Sequence, residues 1–392
     1  MNIVFEVGLN VSGKRGIDYY MGNVIESLAQ VDRKNRFTLF SFFYTDFENK
    51  KSRLAQPDRG NFRLLVRRIP ERLVTKLEWD WGLPFIEPWL LPEAPDIYHC
   101  FGCRLPQLRR SRGVVTFYDL ADEAFSCRDR PDWNGGPARN RIMYDGALRA
   151  ARIISTSDFI KKELVRCYGM PEEKIEVIST GVNLDIFSPV RDPARLAAIK
   201  HHWGLPERFF MMIGPYEPPQ RNHPESVLRA FSELKKAGLL QDRKLVLVGL
   251  RNRYLEKILS FGKSLGLEGE LMSTGYVPIE ELPGLYSLCE ALIHPTGCEG
   301  FGFGLEAMAC GAPFITSNLP GVVEAVGESA IVLPPGQVEP LTGALRDFLG
   351  RPELRERLKR EGPARAALFP YSKIAARISS LYDKIGPRDG RA

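Results

Sequence analysis

No apolar run approaches the ~20 residues that a helix needs to cross a bilayer, and Met1-Asn2 leads straight into Ile3-Val4-Phe5, which reads as a strand. The chain is therefore expected to be cytoplasmic. Paired cysteines are also lacking. The seven stand at 100, 103, 127, 167, 289, 298 and 310, an odd number without a disulfide-framework spacing. Cys100-Phe101-Gly102-Cys103 has no second CxxC or CxxH at finger spacing; zinc needs four ligands, so buried thiols are expected. The formal charge of +6 is too mild and dispersed for nucleic acid, but it suits an anionic ligand or an anionic membrane surface. The GxGxxG dinucleotide fingerprint does not follow the first strand.

What is present is a chain of 392 residues, 44% apolar, long enough for two or three domains with sizeable cores. It is organised around ALIHPTGCEGFGFGLEAMACGAPFITSN, residues 291–318. Ala291 to His294 and Pro313 to Thr316 are short apolar runs that read as buried parallel strands. Between them Gly300, Gly302 and Gly304 alternate with Phe301 and Phe303. Glycine lets a backbone turn with positive φ and approach a ligand closely. The loop enters a helix at Leu305 to Ala309, closed by Gly311, and a helix N-terminus suits phosphate. Glu299 and Glu306 bracket the loop, and carboxylate oxygens accept well from sugar hydroxyls. A ligand with phosphates in the middle and hydroxylated rings at both ends fits that order: a nucleotide sugar. The alternative is a glycine-rich turn with both glutamates solvated.

Further strands are expected at Asn2 to Val7, Phe37 to Phe43, Asp96 to Cys100, Gly113 to Phe117, Ile153 to Thr156, Ile175 to Ile178, Phe209 to Ile213 and Lys244 to Gly249. Leu65 to Leu91 mixes basic, aromatic and aliphatic residues. It reads as two core-facing helix segments with basic outer faces, or as a patch for anionic lipid. Tyr371 to Ile385 carries Ile374, Ile378, Leu381 and Ile385 at helical spacing.

EGFGFGLEAMACGAPFITSN, with GYVPIEELPGLYSLCEALIHP before it and GVVEAVGESAIVLPPG after it, closely resembles the retaining glycosyltransferases of family 4, over nearly the whole chain. The resemblance implies an α/β GT-B fold, two Rossmann-like domains facing across a cleft. They are expected at residues 1–189 on the acceptor side and 190–368 on the nucleotide-sugar side, with 369–392 a helix returning to the first domain and a short tail. It places Glu299 near the transferred sugar and Glu306 near the ribose. Arg221 and Asn222 fall in the diphosphate-binding stretch, and Gly214 and Gly249 at the donor-side strand ends. On the other side it brings Tyr118 and Asp119 beside the donor sugar, and Gly16 and Asp18 to the cleft. His99 ends a strand on that side, as an acceptor-side residue or as a hydrogen-bonded core histidine.

The chain departs from the family's pattern at several of these positions. Six residues separate Glu299 from Glu306, one fewer than usual. Either the loop tightens or Glu306 rotates by about 100°. Tyr118 replaces a histidine, and cannot carry an imidazolium's charge. Asp18 replaces a glycine, adding a negative charge. Glu217-Pro218-Pro219-Gln220-Arg221-Asn222 keeps one cation of a basic pair, and His223 could assist only when protonated. The resemblance implies transfer of a mannose-type or glucose-type hexose from a GDP- or UDP-linked donor to a glycan or lipid-linked acceptor, by front-face displacement. No Asp-x-Asp motif ends a strand, so neither metal nor cofactor is expected. Peripheral contact with the inner face of the membrane goes with a lipid-linked acceptor. The competing readings are a GT-B binding protein without turnover and a sugar-nucleotide epimerase of the same fold.

Overall fold

A computed structural model of the chain describes residues 1–7, 16–54, 56–102, 104–118, 120, 138–214, 222–249, 252–297, 301–302 and 304–387. The chain divides into two units, Met1–Gly181 with Tyr371–Ala392, and Val182–Pro370.

The first unit is a seven-stranded sheet of β1 (Asn2–Glu6), β2 (Arg36–Phe43), β3 (Phe62–Arg68), β4 (Ile97–Phe101), β5 (Arg112–Phe117), β6 (Arg152–Ser155) and β7 (Ile175–Val177), in the order β3-β2-β1-β4-β5-β6-β7. Every neighbouring pair is parallel. Both faces are covered: Ile3 and Phe5 enter one core cluster, Val4 and Tyr98 the other. This is why these strands read as continuous apolar runs instead of alternating ones. The second unit repeats the plan with β8 (Phe209–Ile213), β9 (Lys244–Val248), β10 (Leu271–Gly275), β11 (Ala291–His294), β12 (Phe314–Ser317) and β13 (Ile331–Leu333), ordered β10-β9-β8-β11-β12-β13. In both sheets the strand order reverses after the first strand, between β1 and β4 and between β8 and β11. In such sheets ligands bind outside the carboxyl ends of the strands at the reversal.

The C-terminal helix Tyr371–Ile385 belongs to the first unit. Its apolar stripe, with Ile374, Ile378, Leu381 and Tyr382 all fully or nearly buried, joins Val24 and Leu28 of helix Gly16–Val31 in one core. Burying each such side chain is worth roughly 1.5–3 kcal/mol. Polar contacts fix its register: Ser379 Oγ donates to Asp32 Oδ2 at 2.6 Å, and the Tyr382 hydroxyl meets His99 Nδ1 at 2.6 Å.

Residues 65–91 differ from the expected pair of helices. Leu65 lies inside β3, an edge strand that Pro70 ends. Leu64 packs on one core cluster and Leu65 on the other, so the strand shows no alternation that a reader of the sequence could use. Only Glu71–Thr75 is α-helical. Wider turns follow at Lys76–Asp80 and Ile86–Leu90, closed by Trp81 N–H to Lys76 O and Leu91 N–H to Ile86 O. Two buried glutamates hold them. Glu78 accepts from the N–H groups of Phe85 and Ile86 at 2.7 Å each, and also from that of Gln107. Glu87 accepts from the N–H groups of Arg109 at 2.7 Å and Ser111 at 2.8 Å.

His99 is wholly buried. Its ring nitrogens meet Tyr382 Oη and, at 2.7 Å, Thr116 Oγ1, and burial pushes its pKa from 6.5 to about 3. The unfolded chain therefore takes up this proton before the folded chain does as pH falls. The stability this neutral ring contributes is whole above the unfolded value and lost from there down towards pH 3, by up to about 1.4 kcal/mol per pH unit. His99→Gln should shrink the difference in unfolding free energy between pH 7 and pH 4.5 by about 2–3 kcal/mol. Urea unfolding at both values checks this; an unchanged difference would show that another group sets the acid limb.

Candidate active site

In the second unit the glycine loop joins β11 to helix Leu305–Ala309, whose bounds match those expected. Gly302 and Gly304 have φ of +88° and +93°, a region that side chains avoid. Leu305 N–H donates to Gly302 O at 3.1 Å, starting the helix. A Cβ on Gly304 would lie 2.3 Å from the Phe314 ring of β12, so the same glycine also lets the helix start press onto the sheet. Glu306 is half-buried in the first helical turn, where the dipole favours a carboxylate. Burial first, and the Glu306 charge second, push the Cys310 thiol up to about 12, leaving it unreactive. Phe301 is buried, its ring edge-on against Phe369 with 5.4 Å between centroids, so its side chain packs into the core. Glu299, Gly300 and Phe303 lie outside the described residues.

Gly214 and Gly249 stand at the carboxyl ends of β8 and β9. The ends of the adjacent strands are joined by Gly214 N–H to Val248 O and Gly249 N–H to Gly275 O, both 2.9 Å. Both glycines therefore share the end of the sheet from which the glycine loop leaves. Asn222 is buried; Arg221 lies outside the described residues. His223 holds a left-handed backbone (φ +42°), with its ring against Gly336, where an added Cβ would meet Nδ1 at 2.9 Å. Partial burial lowers its pKa, which disfavours the protonated form that assistance to a phosphate requires.

In the first unit Gly16 and Tyr118 come together, since a Cβ at Gly16 would stand 3.3 Å from Tyr118 Oη. Tyr118 also packs on Tyr20, with 5.4 Å between centroids. Asp18 is buried in the first turn of helix Gly16–Val31, so its carboxyl is enclosed in the fold and not displayed. Asp119 lies outside the described residues. His99 is not an acceptor-side residue: it has no exposed surface and both ring nitrogens are engaged.

Glu6, at the carboxyl end of β1, was not singled out from the sequence; one acidic residue closing an apolar run gives no signal. It is buried, and Tyr98 Oη donates to Oε2 at 2.7 Å, while Oε1 has no partner among the described residues. Burial is the main cause that raises its pKa from 4.5 to about 7, against the lowering effect of the Tyr98 hydrogen bond.

Two doubly wound units, with a glycine loop at the strand ends of the second, are the architecture of the GT-B fold. The model for Glycosyltransferase Family 4 matches residues 15–186 and that for Glycosyl transferases group 1 matches residues 199–365. The chain belongs to glycosyltransferase family 4. It is 27% identical over 375 residues to O-antigen chain mannosyltransferase B of Escherichia coli, covering 94% of this chain and 95% of that protein. Its fold is like that of sucrose-phosphate synthase from Thermosynechococcus elongatus, at 20% identity and a TM-score of 0.78 over 98% of this chain and 99% of that one. It is also like Anabaena HepE in complex with UDP and glucose, at 16% identity and a TM-score of 0.73 over 98% of this chain and 100% of that one.

Two substitutions test the geometry. Gly304→Ala must place a methyl group into the Phe314 ring with φ at +93°. It should lower stability by about 2–4 kcal/mol, and a denaturation midpoint equal to wild type would refute the close packing. Glu6→Gln keeps a side-chain acceptor for Tyr98 without the titration. A carboxyl with a raised folded pKa contributes fully below pH 4.5 and loses that contribution as pH rises through about 7. The variant should therefore gain about 2–3 kcal/mol on wild type between pH 4.5 and pH 8. Equal offsets at both values, read by urea unfolding, would refute the assignment.

Proposed function

We propose that this glycosyltransferase moves mannose from GDP-mannose to a glycan or lipid-linked acceptor with retention of configuration and without a metal. The observation that carries the reading is the end-to-end similarity to an O-antigen chain mannosyltransferase. The glycine loop at the switch of the second sheet supports a nucleotide-sugar donor, as does the fold's likeness to a protein seen with UDP and glucose.

In the proposed step the acceptor oxygen attacks the anomeric carbon on the face that the diphosphate leaves. The bond from that carbon to the diphosphate oxygen breaks, and the acceptor's proton passes to a phosphate oxygen. Arg221 and the backbone of residues 300–304 stabilise the charge that grows on the leaving group, Arg221 through bidentate hydrogen bonds. Glu299 supports the transferred sugar and Glu306 the ribose. In the first unit, Gly16 leaves room for the Tyr118 hydroxyl.

Thermal shift with GDP-mannose, UDP-glucose and dTDP-rhamnose, with and without magnesium, tests the donor. Selective stabilisation by GDP-mannose that magnesium does not alter is expected. Stabilisation by another donor would replace mannose, and a response to none would favour a GT-B binding protein without turnover. Glu299→Gln should abolish transfer with an unchanged melting temperature, and normal turnover would remove that residue from the reaction.

A further inference from the structure

We infer that a cavity of about 240 Å³ between the starts of helices Pro224–Lys236 and Val338–Gly350 holds one hexose ring of a glycan. The inference rests on the proposed reading for its ligand class and deepens it: the acceptor becomes a glycan with a foothold on the second unit.

Helix Pro224–Lys236 follows β8 and helix Val338–Gly350 follows β13. Both therefore begin at the carboxyl end of the second sheet, the end from which the glycine loop leaves. Behind the cavity the two helices are locked together, since Val227, Leu228 and Phe231 of one share a core cluster with Leu341, Leu345 and Phe348 of the other. Walls that are already fixed cost no ordering when a ligand arrives, which matters most for a weak ligand. Gly214, Gly249, Gly302 and Glu306 do not line the cavity, which sets it apart from the donor positions.

The groups around it are polar and uncommitted. Glu225 and Arg229 stand four residues apart on one helix, the acid nearer the N-terminus, the order that favours an ion pair. No ion pair joins them, and neither has another among the described residues. The Arg229 guanidinium lies instead 5.0 Å from the centre of the Phe261 ring. Both residues are exposed and line the cavity, the one offering acceptors and the other donors.

His223 adds a group of both kinds. Its backbone is left-handed, and its ring lies against Gly336, whose own φ of +70° and missing side chain make the room. Partial burial lowers its pKa and keeps the imidazole neutral at pH 7, so one ring nitrogen donates and the other accepts. Neither has a hydrogen-bond partner among the described residues. Ser226 Oγ donates to His223 O at 2.7 Å and keeps its lone pairs as acceptors.

An anion here would meet Glu225 as well as Arg229, and a cation would meet Arg229 as well as Glu225. A neutral ring edged with hydroxyls suits both, because each hydroxyl gives one hydrogen bond and accepts others. The volume falls below the roughly 300–1,000 Å³ of pockets that enclose drug-sized ligands, so it admits one ring and not a whole nucleotide sugar.

The chain has five histidines, few enough to resolve their ring signals by NMR on the full chain with isotope-labelled histidine, and His223→Asn identifies the signal at the cavity. Titration with α-mannotriose or maltotriose should move that signal saturably, and sorbitol at the same concentration should not. Glu225→Gln and Arg229→Gln should each weaken oligosaccharide binding about tenfold at the wild-type melting temperature. The inference is overturned by no saturable shift with either oligosaccharide, by an equal shift with sorbitol, or by undiminished binding in both variants. A His223 signal that moves with GDP-mannose and with neither oligosaccharide would assign the cavity to the donor and overturn it too. The titration reads binding without turnover, so glycan binding in a chain that answers to no donor would uphold the cavity while removing the transfer reaction.

Discussion

The first unit depends on one long-range contact, the docking of Tyr371–Ile385 onto a sheet whose strands all precede residue 182. Without that helix, Ile3, Phe5, Val24 and Leu28 would lose a wall of their core, and His99 would lose its Tyr382 partner while remaining buried. A buried polar group left without a partner costs about 1–3 kcal/mol, on top of the lost apolar burial. The unit is therefore closed by residues that follow the entire second unit in the chain. Its strand ends, and the meeting of Gly16 with Tyr118, are built on a core that the C-terminus completes.

Much of the second unit was legible because short parallel strands and glycine turns leave strong local marks. The bounds of helix Leu305–Ala309 and of β8 and β11 fall where apolar runs meet Gly and Pro. Where reading by pattern failed, tertiary context had overridden it. β3 is covered on both faces and so resembles a piece of helix, and the wide turns after it are held by carboxylates that accept from backbone groups about 7 to 30 residues away. Glu6 and the partners of the core histidine His99 could not be read, because Tyr98 and Tyr382 are distant in sequence from the residues they meet. The packing of Phe301 on Phe369 was not legible, because an aromatic beside a glycine loop looks the same whether it lines a ligand or fills a core.

The departures at the donor stretch also take a different weight once geometry is known. His223 offers an imidazole in the position where a lost cation would be missed, but burial keeps it neutral, and its ring packs against Gly336. It does not restore the charge of the absent basic residue. In the proposed reaction that leaves Arg221 and backbone N–H groups to meet the diphosphate.

That dependence bears on whether the site is a working one or a remnant. Glycines that persist in the loop look at first like selection for ligand binding. Gly304 undercuts the argument, since a side chain there would strike Phe314 whether or not anything binds; its presence speaks for the fold. Gly16 is different. An added Cβ would sit at 3.3 Å from the end of the Tyr118 side chain, a mild crowding that a remnant could absorb by turning the ring. No packing requirement of comparable strength demands glycine there. The meeting of a small residue with a tyrosine hydroxyl at the strand ends is therefore not accounted for by packing alone. The proposed reaction is accordingly tested at Gly16, Tyr118, Arg221 and Glu299 and not by the glycine motif as a whole.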